Sequence, residues 1–178
     1  MPEAVDELLK TAEALQYCTA KMQVQKTLRK QDNMITIRHI TEKDLSGLSH
    51  LYEELLGIST HLDQMLQVFK SAESSGNYHI LGAFHEGELA GSLMGIVCLD
   101  LIGNCKPFMV IENVIVSGRI RRQGIGQKLM NEIEKIAREN GCGYIILVSG
   151  EQRKEAHIFY EKLGYRDEKV EGFRKHLH

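Results

Sequence analysis

The stretch Ile111-Glu-Asn-Val-Ile-Val-Ser-Gly-Arg-Ile-Arg-Arg-Gln-Gly-Ile-Gly-Gln-Lys-Leu-Met130 decides the fold. Its first part, Ile111 to Val116, is β-branched and apolar enough to read as a strand. From Ile125 onward the apolar residues Ile125, Leu129, Ile133, Ile136 and Ala137 fall at helical spacing. A basic, glycine-bearing turn lies between them. A helix start presents backbone N–H groups that lack intrahelical partners, together with the positive end of the peptide dipoles. Gly124 and Gly126 add no Cβ that would hold an anion away, so the turn is expected to bind phosphate. Spacing excludes two common designs. A dinucleotide fingerprint needs a third glycine where Leu129 stands, and no Gly-x-x-x-x-Gly-Lys-Ser/Thr string occurs.

The rest of the composition bounds the reading. A chain of 178 residues supports one domain with a substantial core. With 43% hydrophobic and 26% charged residues it has a globular composition. A formal charge of -2 argues against nucleic acid or an anionic membrane surface as the main partner. The arginines Arg119, Arg121 and Arg122 are local to the turn, with no aromatic platform beside them. Cys18, Cys98, Cys105 and Cys142 form no C-x-x-C pair and no metal-ligand spacing with the histidines, so no metal is expected and the thiols read as reduced. No apolar run approaches a membrane span and no signal-peptide core begins the chain, which places the protein in the cytoplasm as an expectation.

In chain order, residues 1–33 carry a helical stripe (Val5, Leu8, Leu9, Ala12, Leu15) and read as an appended helical extension, a packing or homodimer element; a loosely ordered leader is the alternative. The domain proper is expected over 34–178. Ile35, Ile37 and Ile40 form a short strand. Thr41-Glu-Lys-Asp44 opens a helix carrying Leu45, Leu48, Leu51, Tyr52 and Leu55 that ends at Gly57. Ser59 or Thr60 caps a second helix with Leu62, Met65, Leu66 and Phe69. Two strands, Tyr78 to Phe84 and Leu89 to Leu101, meet at a tight turn at His85-Glu-Gly-Glu88. Gly82, Gly91 and Gly95 within them mark bulges or close backbone approaches. Phe108 to Val116 is the strand of the opening stretch. Tyr144 to Val148 reads as a strand buried on both faces, Glu151 to Leu163 as a helix, and Val170 to Leu177 as a last strand. The order β-α-α-β-β-β-α-β-α-β implies a mixed sheet flanked by helices.

Two motifs in this frame carry a family resemblance. Arg121-Arg122-Gln123-Gly124-Ile125-Gly126 is similar to the Arg/Gln-x-x-Gly-x-Gly/Ala pyrophosphate-binding signature of the GCN5-related N-acetyltransferase (GNAT) superfamily. Ala156-His-Ile-Phe-Tyr-Glu-Lys-Leu-Gly-Tyr165 resembles that family's second segment, Ala-x-x-Phe-Tyr-x-x-x-Gly-Phe/Tyr, in the correct order downstream. The resemblance covers Met34 to the C-terminus. Ser149 to Arg153, Ala156-His157 and Phe173-Arg-Lys175 look like the aminoalkylphosphonate acetyltransferases. The strand Ile111 to Val116 looks like that of glucosamine-phosphate acetyltransferases.

The resemblance implies the GNAT fold, an α/β arrangement with a twisted mixed sheet whose strand 108–116 splays from strand 144–148, and acetyl-CoA as acyl donor. It assigns backbone groups of Val114, Ile115 and Val116 to the pantetheine arm, and amides from Arg121 through Arg122, Gln123, Gly124, Ile125 and Gly126 to Gln127 to the pyrophosphate, with the two arginine side chains adding charge-assisted bonds. Arg153 stands where the family commonly has a cofactor-contacting Asn. His157, on the same helix face as Tyr160, is read as orienting the cofactor or Tyr160, or as structural.

The implied reaction is attack of a small-molecule primary amine on the thioester, which calls for a base, an oxyanion donor and an acid for the leaving thiolate. Tyr160 matches the family's acid. Glu112, a carboxylate interrupting an apolar strand, is the candidate base, directly or through a water; a water chain without a dedicated residue is the alternative. Period two puts Glu112 and Val114 on one face and Asn113, a weaker candidate, on the other. The Val114 N–H or its neighbour is the candidate oxyanion donor. A non-catalytic acetyl-CoA-binding sensor is the competing class of function.

Overall fold

The computed structural model describes residues 16–17, 21–23, 35–168, 170 and 172–177. The chain divides into two units, Met1–Thr36 and Ile37–His178. Of the expected N-terminal extension, residues 16–17 and 21–23 are helical, and the remaining positions through 33, with the dimer reading attached to them, lie outside the described residues.

One five-stranded sheet in the order β1-β2-β3-β4-β5 organises the larger unit. Its strands are β1 (Ile35–His39), β2 (Tyr78–His85), β3 (Glu88–Cys98), β4 (Phe108–Val116) and β5 (Ile145–Leu147). The helices are α1 (Leu45–Leu56), α2 (Leu62–Ser75), α3 (Ile125–Glu139) and α4 (Lys154–Lys162). β2 and β3 are antiparallel and joined at Glu86-Gly87, both with positive φ (52° and 88°), the backbone of a two-residue turn that matches strand twist. β3 and β4 are antiparallel, and β4 and β5 are parallel.

α1 buries Leu45, Leu48 and Leu51 and stops at Gly57 (φ 69°), whose N–H closes on the Glu53 carbonyl at 2.7 Å. Just before it, the Asp44 carboxylate accepts from the Thr41 N–H (2.8 Å) and takes both ends of the Arg38 guanidinium (2.7 and 2.9 Å). Arg38 lies 3.7 Å over the Phe84 ring. Its guanidinium, helped by Thr41 and opposed by burial, holds the Asp44 carboxyl well below the usual carboxylate range. α2 is preceded by His61 at its N-cap, past the expected Ser59 or Thr60.

α3 buries Ile125, Leu129, Ile133, Ile136 and Ala137, the expected face, with Met130 added. The sheet meets it without a gap: a Cβ on Gly95 would stand 2.5 Å from Ile133 Cδ1 and 3.0 Å from Met109 Sδ, so the glycine is there to admit the helix.

Two expected strands differ. β5 is only three residues long and half-buried, with Tyr144 and Val148 exposed, because it is the terminal strand of the sheet and is not enclosed on both faces. The last strand expected from Val170 to Leu177 is not formed over the described residues 170 and 172–177. Phe173 is 91% and Leu177 88% exposed: the segment's few apolar side chains are separated by charge and bury no face that would hold a strand in register.

Candidate active site

The site is built where β4 leaves its parallel neighbour. Pairing with β5 covers only Met109↔Ile145, Val110↔Ile146 and Ile111↔Leu147. β4 runs on through Glu112 to Val116 beyond the last of these pairs. An edge of this kind presents N–H and C=O groups to whatever enters the gap.

The same stretch carries a bulge. Met94 pairs with Glu112 and Ser92 with Ile115, so Leu93 alone faces both Asn113 and Val114. Asn113 takes the extra turn in the left-handed region (φ 56°), a conformation Asn tolerates better than most side chains. The expected alternation therefore fails here. Met94 and Ser92, two apart on a regular strand, share a face, so their partners Glu112 and Ile115 share it too. Asn113, expected on the face opposite Glu112, lines a cavity with Met94 and is hydrogen-bonded to the Tyr52 phenol.

Past Val116 the chain turns into α3. A short 3-10 turn, Gly118–Ile120, is followed by Arg122 (φ 65°) and Gly124 (φ 76°), and the first helical bond closes from Lys128 N–H to the Gly124 carbonyl at 3.0 Å. The amides of Ile125, Gly126 and Gln127 precede that bond. The N-cap Gly124 provides no side-chain cap, and the first turn of α3 has no acidic residue. This donor set fits an anionic diphosphate.

The two glycines differ in their reasons. Gly124 is required by its positive φ and has open space beside it, whereas a Cβ at Gly126 would come 3.1 Å from Phe159 Cζ. Gly126 therefore serves the packing of α4 against α3. Arg121, though exposed, is tied to the fold: its Nε donates to the Val116 carbonyl (3.1 Å) and its guanidinium stands 3.7 Å from Glu54. Glu54 also accepts the Gly118 N–H at 2.6 Å, tying the turn to α1. Arg122 and Gln123 are exposed.

α4 supplies the remaining groups. Tyr160 is 9% exposed, with Phe159 tilted against it (centroids 5.3 Å apart) and Tyr165 edge-on (6.2 Å). Burial pushes the Tyr160 phenol above its ordinary value; Arg153 pulls it down and Glu112 pushes it up, so the phenol keeps its proton at neutral pH. Arg153 and Glu112 thus both lie close enough to Tyr160 to act on its charge. Arg153 is the N-cap residue of α4. His157 Nε2 lies 3.0 Å from the Gly150 carbonyl, which can only accept, so the Nε2–H tautomer staples the preceding turn to the helix. Tyr165 donates to Glu134 at 3.1 Å and anchors the end of this segment on α3.

A cavity of about 380 Å³ lies beneath α1 and α2, walled by Leu48, Met65, Phe69, Ile80 and Met94 and reaching Tyr52 and Asn113. Burial raises the Tyr52 phenol above its ordinary value, while its hydrogen bonds with Ser92 and Asn113 oppose that shift. Glu54 and Tyr52 were not identifiable from the sequence: each lies on an ordinary helix, and its partners are distant in the chain. The αL tolerance of Asn113 was the one signal that pointed to the bulge.

The strand that runs on past its parallel neighbour and the helix start bare of acid and cap together offer backbone groups to an anionic ligand. Residues 43–165 match the Acetyltransferase (GNAT) family, and the chain belongs to that family. A glucosamine 6-phosphate N-acetyltransferase from Trypanosoma brucei brucei is 41% identical over 138 residues, covering 74% of this chain and 89% of that protein. An aminoalkylphosphonate N-acetyltransferase from Salmonella typhimurium LT2 is 26% identical over 140 residues, 78% of this chain and 90% of the other. A putative acetyltransferase from Agrobacterium tumefaciens C58 shares the fold at a TM-score of 0.74 and 24% identity, over 80% of this chain and 99% of that one. The protein is thus an acyltransferase of the N-acetyltransferase type with a mixed α/β GNAT fold. Among the described residues no helix is long and apolar enough to cross a membrane, and no group of His, Cys, Asp and Glu is placed to hold a metal.

Proposed function

We propose that the protein transfers the acetyl group of acetyl-CoA to a primary amine of a small molecule by direct attack on the thioester. The observation that carries this reading is the early end of the β4–β5 pairing, which leaves Glu112 to Val116 leading directly to the bare N-terminus of α3.

In this reading the amides of Ile125, Gly126 and Gln127 hold the diphosphate, with the exposed Arg122 as a nearby cation. Arg121 braces the turn through the Val116 carbonyl and Glu54. The N–H and C=O groups of Val114 and Ile115 receive the amides of the pantetheine arm, and the Val114 N–H is aimed at the developing oxyanion. The donor supplies an activated acetyl carbonyl. Glu112, directly or through a water, takes the proton that the amine releases as its nitrogen bonds to the carbonyl carbon. The carbon–sulfur bond then breaks, and the Tyr160 phenol gives its proton to the departing sulfur. Arg153 lowers the cost of the phenolate that remains. His157 positions α4 through Gly150.

The test is thiol release from acetyl-CoA over a panel of primary amines, with the acetylated amine identified by mass. Amine-dependent thiol release supports the reading. Acetyl-CoA binding without release for any amine refutes it in favour of a sensor.

A further inference from the structure

We propose that the acceptor is a primary amine carried on an apolar, uncharged body of the arylalkylamine kind. The inference rests on the acetyltransferase reading of the same site and narrows its acceptor.

The cavity beneath α1 and α2 has a volume of about 380 Å³, within the range of small-molecule sites. Among the described residues its lining contains no lysine, arginine, aspartate or glutamate. Phe69 is buried in its wall, and the thioethers of Met65 and Met94 offer the polarisable surface that aromatic rings favour. A phosphate or phosphonate placed there would lose its water without meeting a lysine or arginine, with His61 the one basic side chain in the lining, and a polycationic sugar would meet no carboxylate.

The polar lining residues are Tyr52, Thr60, His61, Gln64, Tyr78 and Asn113, and of these Asn113 is the one on β4, the bulged residue next to Glu112. The cavity therefore reaches β4 at Asn113, beside Glu112, the candidate base of the proposed reaction. An apolar body seated between α1 and α2 leaves its amine beside Asn113, with Glu112 next in the chain. This lining departs from what a sugar phosphate or an aminoalkylphosphonate, the acceptors named for two relatives, would need.

The experiment uses the full chain with acetyl-CoA and compares 2-phenylethylamine, glucosamine 6-phosphate and 2-aminoethylphosphonate by thiol release. 2-Phenylethylamine is expected to give a kcat/KM about 100-fold above either anionic amine, the order expected when a charged group goes unpaired in a site. Equal or better turnover of an anionic amine overturns the proposal. Val68, 68% exposed at the cavity, accepts a charge without disturbing the core. Val68→Lys should raise KM for 2-phenylethylamine about tenfold by placing a like charge on its path, with acetyl-CoA affinity as the folding control; an unchanged KM counts against the cavity. If no amine releases thiol, the acetyltransferase reading falls separately, and the cavity is judged by binding. 2-Phenylethylamine should then raise Tm in the parent protein and not in Val68→Lys, and no rise in the parent overturns the proposal.

Discussion

Tyr160→Phe removes one oxygen from a ring that is 9% exposed and leaves the ring where Phe159 and Tyr165 hold it, at centroid distances of 5.3 and 6.2 Å. The packing that positions α4 should therefore survive, with a stability change of about 1 kcal/mol or less. Turnover should not survive. A positioned proton donor contributes about 10²–10⁴-fold, so kcat is expected to fall by roughly that factor, about 3–5 kcal/mol in the barrier. Acetyl-CoA affinity, which the proposed function assigns to the α3 start and the β4 edge, should change little. The pH dependence gives a second reading. Burial and Glu112 raise the phenol above its ordinary value and Arg153 only partly offsets them, so the acid form persists across the neutral range. The alkaline loss of kcat in the parent enzyme is expected to lie above the usual phenol value of about 10 and to vanish in Tyr160→Phe. The assay is thiol release under saturating amine, with acetyl-CoA affinity measured by calorimetry. Unchanged kcat in the Phe variant would refute the acid role, and an equal loss of cofactor affinity would move Tyr160 to binding.

Three further outcomes follow from the geometry. Glu54→Ala frees the Gly118 N–H and the Arg121 guanidinium, and loss of a charged hydrogen bond worth about 1.4 kcal/mol should raise KM for acetyl-CoA about tenfold; steady-state kinetics with acetyl-CoA varied checks it. Gly126→Ala gains about 1 kcal/mol of helix propensity but forces Phe159, 3.1 Å from the new Cβ, to give way; Tm should stay nearly unchanged while kcat drops about tenfold through displaced Tyr160. Asp44→Asn removes a carboxylate whose proton affinity Arg38 depresses in the fold. Its contribution is present above the unfolded carboxyl value and lost as pH falls through the lower folded one, so the variant should be less stable at pH 7 and lose part of its acid-side slope in thermal melts.

How far the sequence shows this architecture depends on whether each signal is local. The α3 stripe from Ile125 to Ala137 and the stop at Gly57 are repeated-pattern or single-residue signals, and both appear in the structure where periodicity and αL geometry put them. The glycine turn was equally visible, although Gly126 is explained by Phe159 and not by room for an anion. The face of Asn113 was misread because a bulge inserts one residue into a period of two, and the opposing strand that shows it, Ser92 to Met94, lies elsewhere in the chain. Glu54 meets Gly118 across 64 residues, a contact that no local pattern encodes. The strand expected from Val170 does not form over the described residues because its sparse apolar side chains are separated by charge, and Phe173 and Leu177 remain in solvent.

In the proposed function the β4 edge and the start of α3 together hold acetyl-CoA. Titrating acetyl-CoA into isotopically labelled protein and following backbone amide resonances tests it most directly. The largest shifts should fall on Glu112 to Val116 and on Gly124 to Gln127, saturating together with one affinity. Saturating shifts confined to other parts of the sheet, with these two segments unmoved, would contradict the account.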